Sequence, residues 1–130
     1  MVDLIAKYDE FLVPLRADDR ETARKFFHPD FIVHEDPGMP YGGMFAGADA
    51  FIELRHKVRQ YWKLDIESKC VSPEGDRLVI VIHLTGLADG PCAGLETWVT
   101  VVWSFRDGKA LEARVLYYDT PTVNAAIRGT

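Results

Sequence analysis

The second half of the chain contains four apolar segments joined by short turns, and this arrangement constrains the fold more than any other feature. In each segment apolar residues alternate with polar ones or form a continuous run, which is typical of strands buried on one or both faces. The turns "SPEGD", "ADGPCAG" and "RDGK" are of hairpin length. Parallel neighbours need crossovers of about a dozen residues, so the segments predict a largely antiparallel sheet. The strands are expected near residues 63–72, 77–86, 94–106 and 110–119.

Helical periodicity dominates the first half. Apolar residues spaced three and four apart predict a first amphipathic helix, with Pro14 helping to end it. Asp18 followed by Glu21 has the form of a capping box and predicts a short second helix. After the extended segment "HPDFIVHE" and a Gly/Pro loop, a third helix is predicted. The apolar residues of the first and third helices are Leu4, Ile5, Tyr8, Phe11, Leu12, Leu15, Phe51, Leu54, Val58, Tyr61 and Trp62.

This order of elements predicts an α+β fold with a single domain over residues 1–130. A long, curved, mostly antiparallel sheet would leave one concave face for three N-terminal helices to cover. A further helix, "TVNAAIR", is expected at the end of the chain.

Composition and charge narrow the expected partners. The 15 basic residues are scattered among 20 acidic ones, so no nucleic-acid partner is expected. The apolar runs fall far short of the roughly 20 residues of a membrane-spanning helix, so no membrane partner is expected either. No signal peptide is visible at the start, which makes the cytoplasm the default expectation. Cys70 and Cys92 fit neither a zinc spacing nor a redox pair and are expected to be reduced.

Two segments resemble a known superfamily. "DFIVHEDPGMPYGGMFAGADAFIEL" is similar to the first strand of nuclear-transport-factor-2-like proteins and its return into the third helix, and "WSFRDGKALEARVLYYD" is similar to their last hairpin. The resemblance covers nearly the whole chain and is to the SnoaL-like and ketosteroid-isomerase-like branch. It implies a cone-shaped fold whose open end makes an internal pocket. Because relatives include isomerases, epoxide hydrolases, polyketide cyclases and dehydratases, it implies a pocket and not one reaction.

The strand "FIVHE" offers two candidate carboxylates. Residues two apart share a strand face, so the inward set is either Phe31, Val33 and Glu35 or Ile32, His34 and Asp36. When residues are counted forward from Asp30, the resemblance places the isomerase carboxylate on Glu35. When they are counted back from Pro37, it falls on Asp36 instead. We therefore take Glu35 first and Asp36 second. A buried carboxylate would have the raised pKa that a general base near neutrality requires, whereas the alternative is a strand that ends in water.

His83 interrupts the apolar run "LVIVIHLTG". Alternation groups it with Val81 and Thr85, and the resemblance implies that this set faces inward, where an imidazole would act as an acid-base partner. The alternative is a core histidine hydrogen-bonded to a neighbour. On the next strand the resemblance places Val99 and Trp103 inward, with Trp103 where ketosteroid isomerase has an acid.

On the last strand the resemblance implies that Arg114, Leu116 and Tyr118 face inward, with Leu116 in the place of the epoxide hydrolase's aspartate. Asp119 either reaches the pocket through a bulge or caps the terminal helix, and we favour the cap. Tyr8, Tyr41 and Tyr118 are phenols that could donate to a developing oxyanion, although such residues are more often core.

These patterns leave two hypotheses open. In the first, the protein is a cofactor-independent isomerase, dehydratase, cyclase or lyase that acts on a hydrophobic, oxygenated, cyclic or aromatic molecule. In the second, the same cavity only binds a ligand, or the domain is a dimeric interaction module. No metal is expected, because the four histidines are dispersed. The candidate catalytic residues are Glu35, His83, Asp36 and Tyr118, and the candidate substrate-binding residues are Val33, Met39, Tyr41, Tyr8, Val99, Trp103, Leu116 and Asp119.

An apolar outer patch predicts self-association. If the pocket faces are as assigned above, the outer sides of the last three strands carry Trp98, Val102, Val115 and Tyr117. Such a patch is too large for a small monomer to expose, so a homodimer through the outer sheet face is expected.

Overall fold

A computed structural model describes residues 3–129 as four α-helices and six strands. The helices are α1 (Leu4–Arg16), α2 (Arg20–Ala23), α3 (Ala48–Arg59) and α4 (Thr120–Arg128), and a 3-10 turn (Arg24–Phe26) follows α2. The strands are β1 (Phe27–Glu35), β2 (Gly43–Ala46), β3 (Trp62–Val71), β4 (Arg77–Gly86), β5 (Glu96–Arg106) and β6 (Lys109–Tyr117). None of the described helices is long and apolar enough to cross a membrane.

All six strands form one sheet in the order β2-β1-β6-β5-β4-β3. Every neighbouring pair is antiparallel except β1 and β6, which run parallel. The predicted α+β fold, with a curved and mostly antiparallel sheet against N-terminal helices, is confirmed. Strand β2 was not predicted, because its four residues lie in the Gly/Pro-rich loop and carry no buried alternation.

Two details of the helices differ from the prediction. Asp19 caps α2, since its Oδ1 accepts a hydrogen bond from the backbone N–H of Thr22 at 3.2 Å. Asp18, the predicted cap, has a φ of 57° and lies near His56 instead. Pro14 lies inside α1, which continues to Arg16. A proline near the end of a helix removes one hydrogen bond without preventing the last turn from forming.

An aromatic cluster fills part of the space between the helices and the sheet. Trp103 is 1% exposed, and its ring centroid lies 4.9 Å from that of Phe51 and 5.4 Å from that of Phe26. The stacked rings of Phe11 and Phe26 have centroids 4.1 Å apart. This packing joins α1, α3 and the sheet, and it leaves the remainder of the concave face open as a cavity.

The inward faces of β4 and β6 are shifted by one residue from those predicted. On β4 the buried residues are Leu78, Ile80, Ile82 and Leu84, so His83 lies on the outer face. On β6 the buried residues include Ala113, Val115 and Tyr117, and Leu116 and Tyr118 point outward. On β5 the structure has Val99 and Trp103 inside as predicted, together with Thr97 and Val101. Antiparallel pairing aligns these faces, because Leu78 is opposite Trp103 and Trp103 is opposite Ala113.

The outer face of the sheet carries an exposed apolar patch, but its residues are not all those predicted. Val115 and Tyr117 are buried inside, whereas Trp98, Leu116 and Tyr118 are exposed on the outside, Leu116 to 57% and Tyr118 to 79%. The rings of Trp98 and Tyr118 lie edge to face with centroids 5.8 Å apart. Pairing of two copies through this face stays a prediction.

We expect Leu116→Glu to favour the monomer. The substitution places a carboxylate in the exposed patch and repeats it in both copies, while the exposed position leaves the core unchanged. Sedimentation at micromolar concentration should show a dimer for the unaltered chain and a monomer for the variant. Glu74→Gln, in the β3–β4 turn, serves as a charge-changing control. A monomeric unaltered chain would contradict the prediction.

Candidate active site

The concave face of the sheet and helices α1 and α3 enclose a cavity of about 540 Å³. This volume lies within the range of roughly 300 to 1,000 Å³ typical of small-molecule sites. Most of its wall is apolar and comes from both helices and from strands β3 to β6. The apolar residues include Leu12, Leu15, Leu54, Val58, Ile66, Ile82, Val99, Val101, Trp103 and Val115.

Glu35, the last residue of β1, lines this cavity and is 3% exposed. Phe31 and Val33 precede it on the same buried face, so strand alternation directs its side chain inward. Its Oε1 accepts a hydrogen bond from the backbone N–H of Asp36 at 2.9 Å. Burial raises the pKa of Glu35 to about 8, opposed by this hydrogen bond and reinforced by the nearby Asp36 carboxylate. The carboxyl group is therefore mostly protonated at pH 7.

Tyr117 lines the cavity from β6, and its hydroxyl lies 2.7 Å from that of Tyr41. Both tyrosines are buried, and Tyr41 stacks against Tyr61 with ring centroids 6.3 Å apart. Burial raises the pKa of each phenol above its ordinary value, and the Glu35 charge raises both further. Both hydroxyls consequently stay neutral and can donate hydrogen bonds.

The loop "PGMPYGG" positions Tyr41 through two successive turns. The backbone N–H of Met39 donates to the Asp36 carbonyl at 3.0 Å, and that of Gly42 donates to the Met39 carbonyl at 2.9 Å. A Cβ at residue 42 would lie 2.1 Å from the Asp36 carbonyl oxygen, so only glycine fits there. This tight path returns Met39 and Tyr41 to the protein interior.

Asp36 lies outside the cavity wall. Its Oδ1 accepts a hydrogen bond from the Gly38 backbone N–H at 2.9 Å, and its Oδ2 accepts one from the Thr120 hydroxyl at 2.5 Å. These bonds connect the loop to the start of α4. The structure thus separates the two candidate carboxylates, with Glu35 inside and Asp36 in a supporting position.

Three predicted site residues lie on the outer face of the sheet. The His83 Nε2 lies 3.3 Å from a carboxylate oxygen of Glu96, and its ring lies 5.4 Å from Trp98, measured between centroids. Leu116 and Tyr118 are also outside, so the predicted inward orientation of these residues is wrong. The sequence contained a signal against the inward orientation. His83 shares a strand face with Thr85, and Leu116 and Tyr118 share one with Arg114. Polar side chains more often mark the solvent face.

The other predicted binding residues are divided between the cavity and the core. Tyr8, Val99 and Trp103 line the cavity, whereas Val33, Met39 and Tyr41 are buried outside its wall. Asp119 caps α4, its Oδ1 accepting a hydrogen bond from the Thr122 backbone N–H at 3.3 Å, as the favoured interpretation held.

The sequence reasoning missed several polar groups of the cavity. Tyr117 was assigned to the outer face, and Trp62 was assigned to a helix although it begins β3. The indole N–H groups of Trp62 and Trp103 are buried and have no acceptor among residues 3–129. The basic lining residues, also missed, are Arg16, Arg55, Arg59 and Lys63.

Within the described part of the chain, no three His, Cys, Asp or Glu side chains are grouped as a metal site would require. Among the described residues, those that line the cavity supply one carboxyl, two phenols, two indoles and four basic groups.

A curved sheet that encloses a cavity beneath helices is the architecture of the nuclear-transport-factor-2-like superfamily. Within it, the sequence model of the SnoaL-like domain matches residues 8–113, so the chain belongs to the SnoaL-like domain family. No curated protein matches the chain in sequence.

Solved structures show the same fold at low sequence identity. An NTF2-like protein from Burkholderia thailandensis is 18% identical, with a TM-score of 0.77 and coverage of 98% of both chains. Bal32a, from a soil-derived mobile gene cassette, is 16% identical, with a TM-score of 0.75 and coverage of 95% of both. A candidate polyketide cyclase from Sinorhizobium meliloti is 14% identical, with a TM-score of 0.62 and coverage of 89% of this chain and 95% of that one.

The raised pKa of Glu35 predicts that stability depends on pH. The folded protein keeps the Glu35 proton up to about pH 8, whereas the unfolded chain releases it near the ordinary value of 4.5. The stabilisation linked to this proton is full below about pH 4.5 and is lost as the pH rises through 8. Glu35→Gln is neutral at every pH, so it should match the unaltered protein near pH 5 and exceed its unfolding free energy near pH 9 by a few kcal/mol.

Urea unfolding at the two pH values measures this difference. Glu74→Gln is the matched control, because Glu74 is exposed in the β3–β4 turn and its loss should leave the pH dependence unchanged. Equal pH dependence in Glu35→Gln and the unaltered protein would show that the buried carboxyl titrates normally.

Proposed function

We propose that the protein is a cofactor-independent enzyme that moves protons on a hydrophobic, oxygenated, cyclic or aromatic small molecule. The reaction is of the isomerase, dehydratase, cyclase or lyase type. One observation carries the proposal: Glu35, a buried carboxylic acid, lines the same apolar cavity as Tyr117, whose hydroxyl is hydrogen-bonded to that of Tyr41. A carboxyl with a pKa near 8 holds and releases a proton at working pH, as general acid-base catalysis requires.

The roles of these groups follow from their chemistry. Ionised Glu35 removes a proton from a carbon next to a substrate carbonyl, and the electrons of that C–H bond move onto the carbonyl oxygen. Tyr117 donates a hydrogen bond to the developing oxyanion. Either hydroxyl can be the donor in the Tyr41–Tyr117 hydrogen bond, and in this role Tyr41 donates, so that the Tyr117 proton is free for the substrate. Protonated Glu35 then returns its proton to a second atom of the substrate, or to its leaving oxygen, which completes the cycle without net gain or loss of protons.

The apolar wall supports this assignment in two ways. It keeps water from the carboxyl group and so raises its pKa. It also strengthens hydrogen bonds from the phenols, because electrostatic interactions are less screened away from water. At the level of the fold alone, the candidate polyketide cyclase from Sinorhizobium meliloti adds support for a cyclase, one of the reaction types proposed here.

A non-catalytic binding protein is the second candidate. The observation that favours it is the wall itself, in which apolar residues predominate and Glu35 is the one carboxyl among the described lining residues. A dimeric interaction module of the same fold is supported only by the apolar outer face that carries Trp98, Leu116 and Tyr118.

We expect Glu35→Gln to lower turnover by about 100-fold or more, because glutamine keeps the shape of the carboxyl group but neither accepts nor releases the proton. Tyr117→Phe should lower it by about tenfold, since it removes one oxyanion donor and leaves the ring in place. The measurement is the rate of hydrogen–deuterium exchange next to the carbonyl in a panel of cyclic and aromatic ketones, followed by NMR. Glu74→Gln serves as the control that should keep full activity.

The pH dependence tests the role of Glu35 separately. If Glu35 is the base, kcat/KM rises about tenfold per pH unit below about 8 and levels off above it, because only the ionised form accepts a proton. Full exchange activity in Glu35→Gln, or a profile that is flat across pH 8, would reject the catalytic assignment. Ligand binding without any exchange would then favour the second candidate.

A further inference from the structure

The cavity has a basic mouth although the chain is acidic overall. The net charge is −5, yet four of the lining residues, Arg16, Arg55, Arg59 and Lys63, are cationic. The one carboxylic acid among the described lining residues, Glu35, is buried and mostly protonated at neutral pH. The charge that faces the cavity is therefore positive.

The exposed basic residues mark the open end of the cavity. Arg16 is the last residue of α1, Arg59 is the last of α3, and Lys63 is the second of β3. All three side chains are exposed, whereas Glu35 and Tyr117 at the enclosed end are buried. Three separate elements thus bring positive charge to one opening.

Arg55 extends this positive charge inward. It lies one helical turn before Arg59, so the two side chains share the face of α3 that meets the cavity. Arg55 is half-buried. Burial lowers its pKa, and the positive charges of Arg59 and Arg16 lower it further, while Tyr8 opposes them. All three arginines line the same cavity, so their like charges share one space.

Two nearby arginines outside the cavity form ion pairs with acidic side chains, whereas in the described part of the chain the arginines that line the cavity do not. Arg20 pairs with Glu53, and the Arg24 Nε lies 2.9 Å from Asp49, so two acidic residues of α3 are already engaged. Within residues 3–129, Arg16, Arg55 and Arg59 form no ion pair. Lys63 is only weakly paired, its Nζ lying 3.8 Å from the exposed Asp65.

Favourable interaction with helix dipoles accounts for part of this arrangement. Cations are stabilised at the last turn of a helix, which suits Arg16 and Arg59. It does not explain why Arg55 is half-buried in the cavity wall beside two like charges, because a neutral or acidic residue there would relieve the repulsion. An anion held between the arginines would relieve it as well.

We infer that the ligand of this cavity is an amphipathic anion, with an apolar ring system in the enclosed part and a carboxylate or another oxyanion at the mouth, held by Arg55 together with Arg16 and Arg59. The inference deepens the function proposed above and rests on the same cavity being the ligand site. A guanidinium group offers two parallel N–H donors to the two oxygens of such an anion. With its charged end fixed at the mouth, the molecule presents its uncharged end to Glu35 and Tyr117.

A matched pair of fluorescent probes tests the inference. 1-Anilinonaphthalene-8-sulfonate is an apolar aromatic anion, and N-phenyl-1-naphthylamine has the same ring skeleton without the sulfonate. We expect the anionic probe to bind at least about tenfold more tightly, and raising the salt concentration from about 0.02 to about 0.5 M should weaken the anionic probe alone.

Variants locate the binding site. Arg55→Gln and the more exposed Arg59→Gln should each weaken the sulfonate probe by about fivefold to tenfold and leave the neutral probe unchanged. Arg106→Gln is the matched control, because Arg106 is an exposed arginine at the end of β5, away from the cavity lining, and its loss removes the same charge.

The outcomes separate this inference from the function on which it rests. Equal affinity for the two probes, or an affinity for the sulfonate that none of the arginine variants lowers, would overturn the anionic ligand while leaving an apolar site intact. Sulfonate binding reduced equally by Arg106→Gln would show a general effect of charge and would overturn it too. Failure of both probes to bind would reject the cavity as a ligand site and with it the proposed function.

Discussion

The parallel pairing of β1 with β6 is the interaction on which the site depends. In this register Val33 is opposite Ala113 and His34 is opposite Arg114, so Glu35 lies beside Val115 on the same inner face as Tyr117. Without the pairing to β6, β1 would pair only with the four-residue β2, and an isolated two-stranded ribbon is only marginally stable in water. The pairing also joins a strand near the start of the chain to the last strand, so the two residues proposed for catalysis come from distant parts of the sequence.

Burying Glu35 on this face lowers the stability of the folded protein at high pH, and it provides the carboxyl group proposed for catalysis. A carboxyl group in an apolar wall loses its hydration, and at high pH its charge has one backbone hydrogen bond as compensation. The position is nevertheless enforced, because Phe31 and Val33 on the same strand are fully buried and a slip of one residue would expose both. Natural proteins commonly place an unfavourable residue, such as a buried carboxylic acid, at a functional site and compensate for it by the packing of its neighbours.

The fold was more predictable from sequence than the site. Hairpin turns and periodicity are local signals, and they located β3 to β6 to within two residues at each end. The inward face is a tertiary property, and on β4 both faces are rich in apolar residues, so alternation alone does not choose between them. Borrowing the choice from a resemblance shifted His83, Leu116 and Tyr118 to the wrong side. The basic mouth was missed because Arg16 is far in sequence from Arg55 and Lys63, and these residues meet only through the packing of α1, α3 and β3.

The titratable groups of the cavity form two sets, and each set is influenced by different charged neighbours. The pKa of Glu35 is set by burial and by Asp36, with no contribution from an arginine, and Glu35 in turn acts on Tyr117 and Tyr41. Tyr8 belongs to the other set, because Arg55 and Arg16 act on its phenol, although burial still raises its pKa to about 12. Had the arginines lain near Glu35, they would have lowered its pKa and made its carboxylate a weaker base. The positive charge at the mouth can therefore attract a ligand while burial keeps the pKa of the carboxyl group near 8.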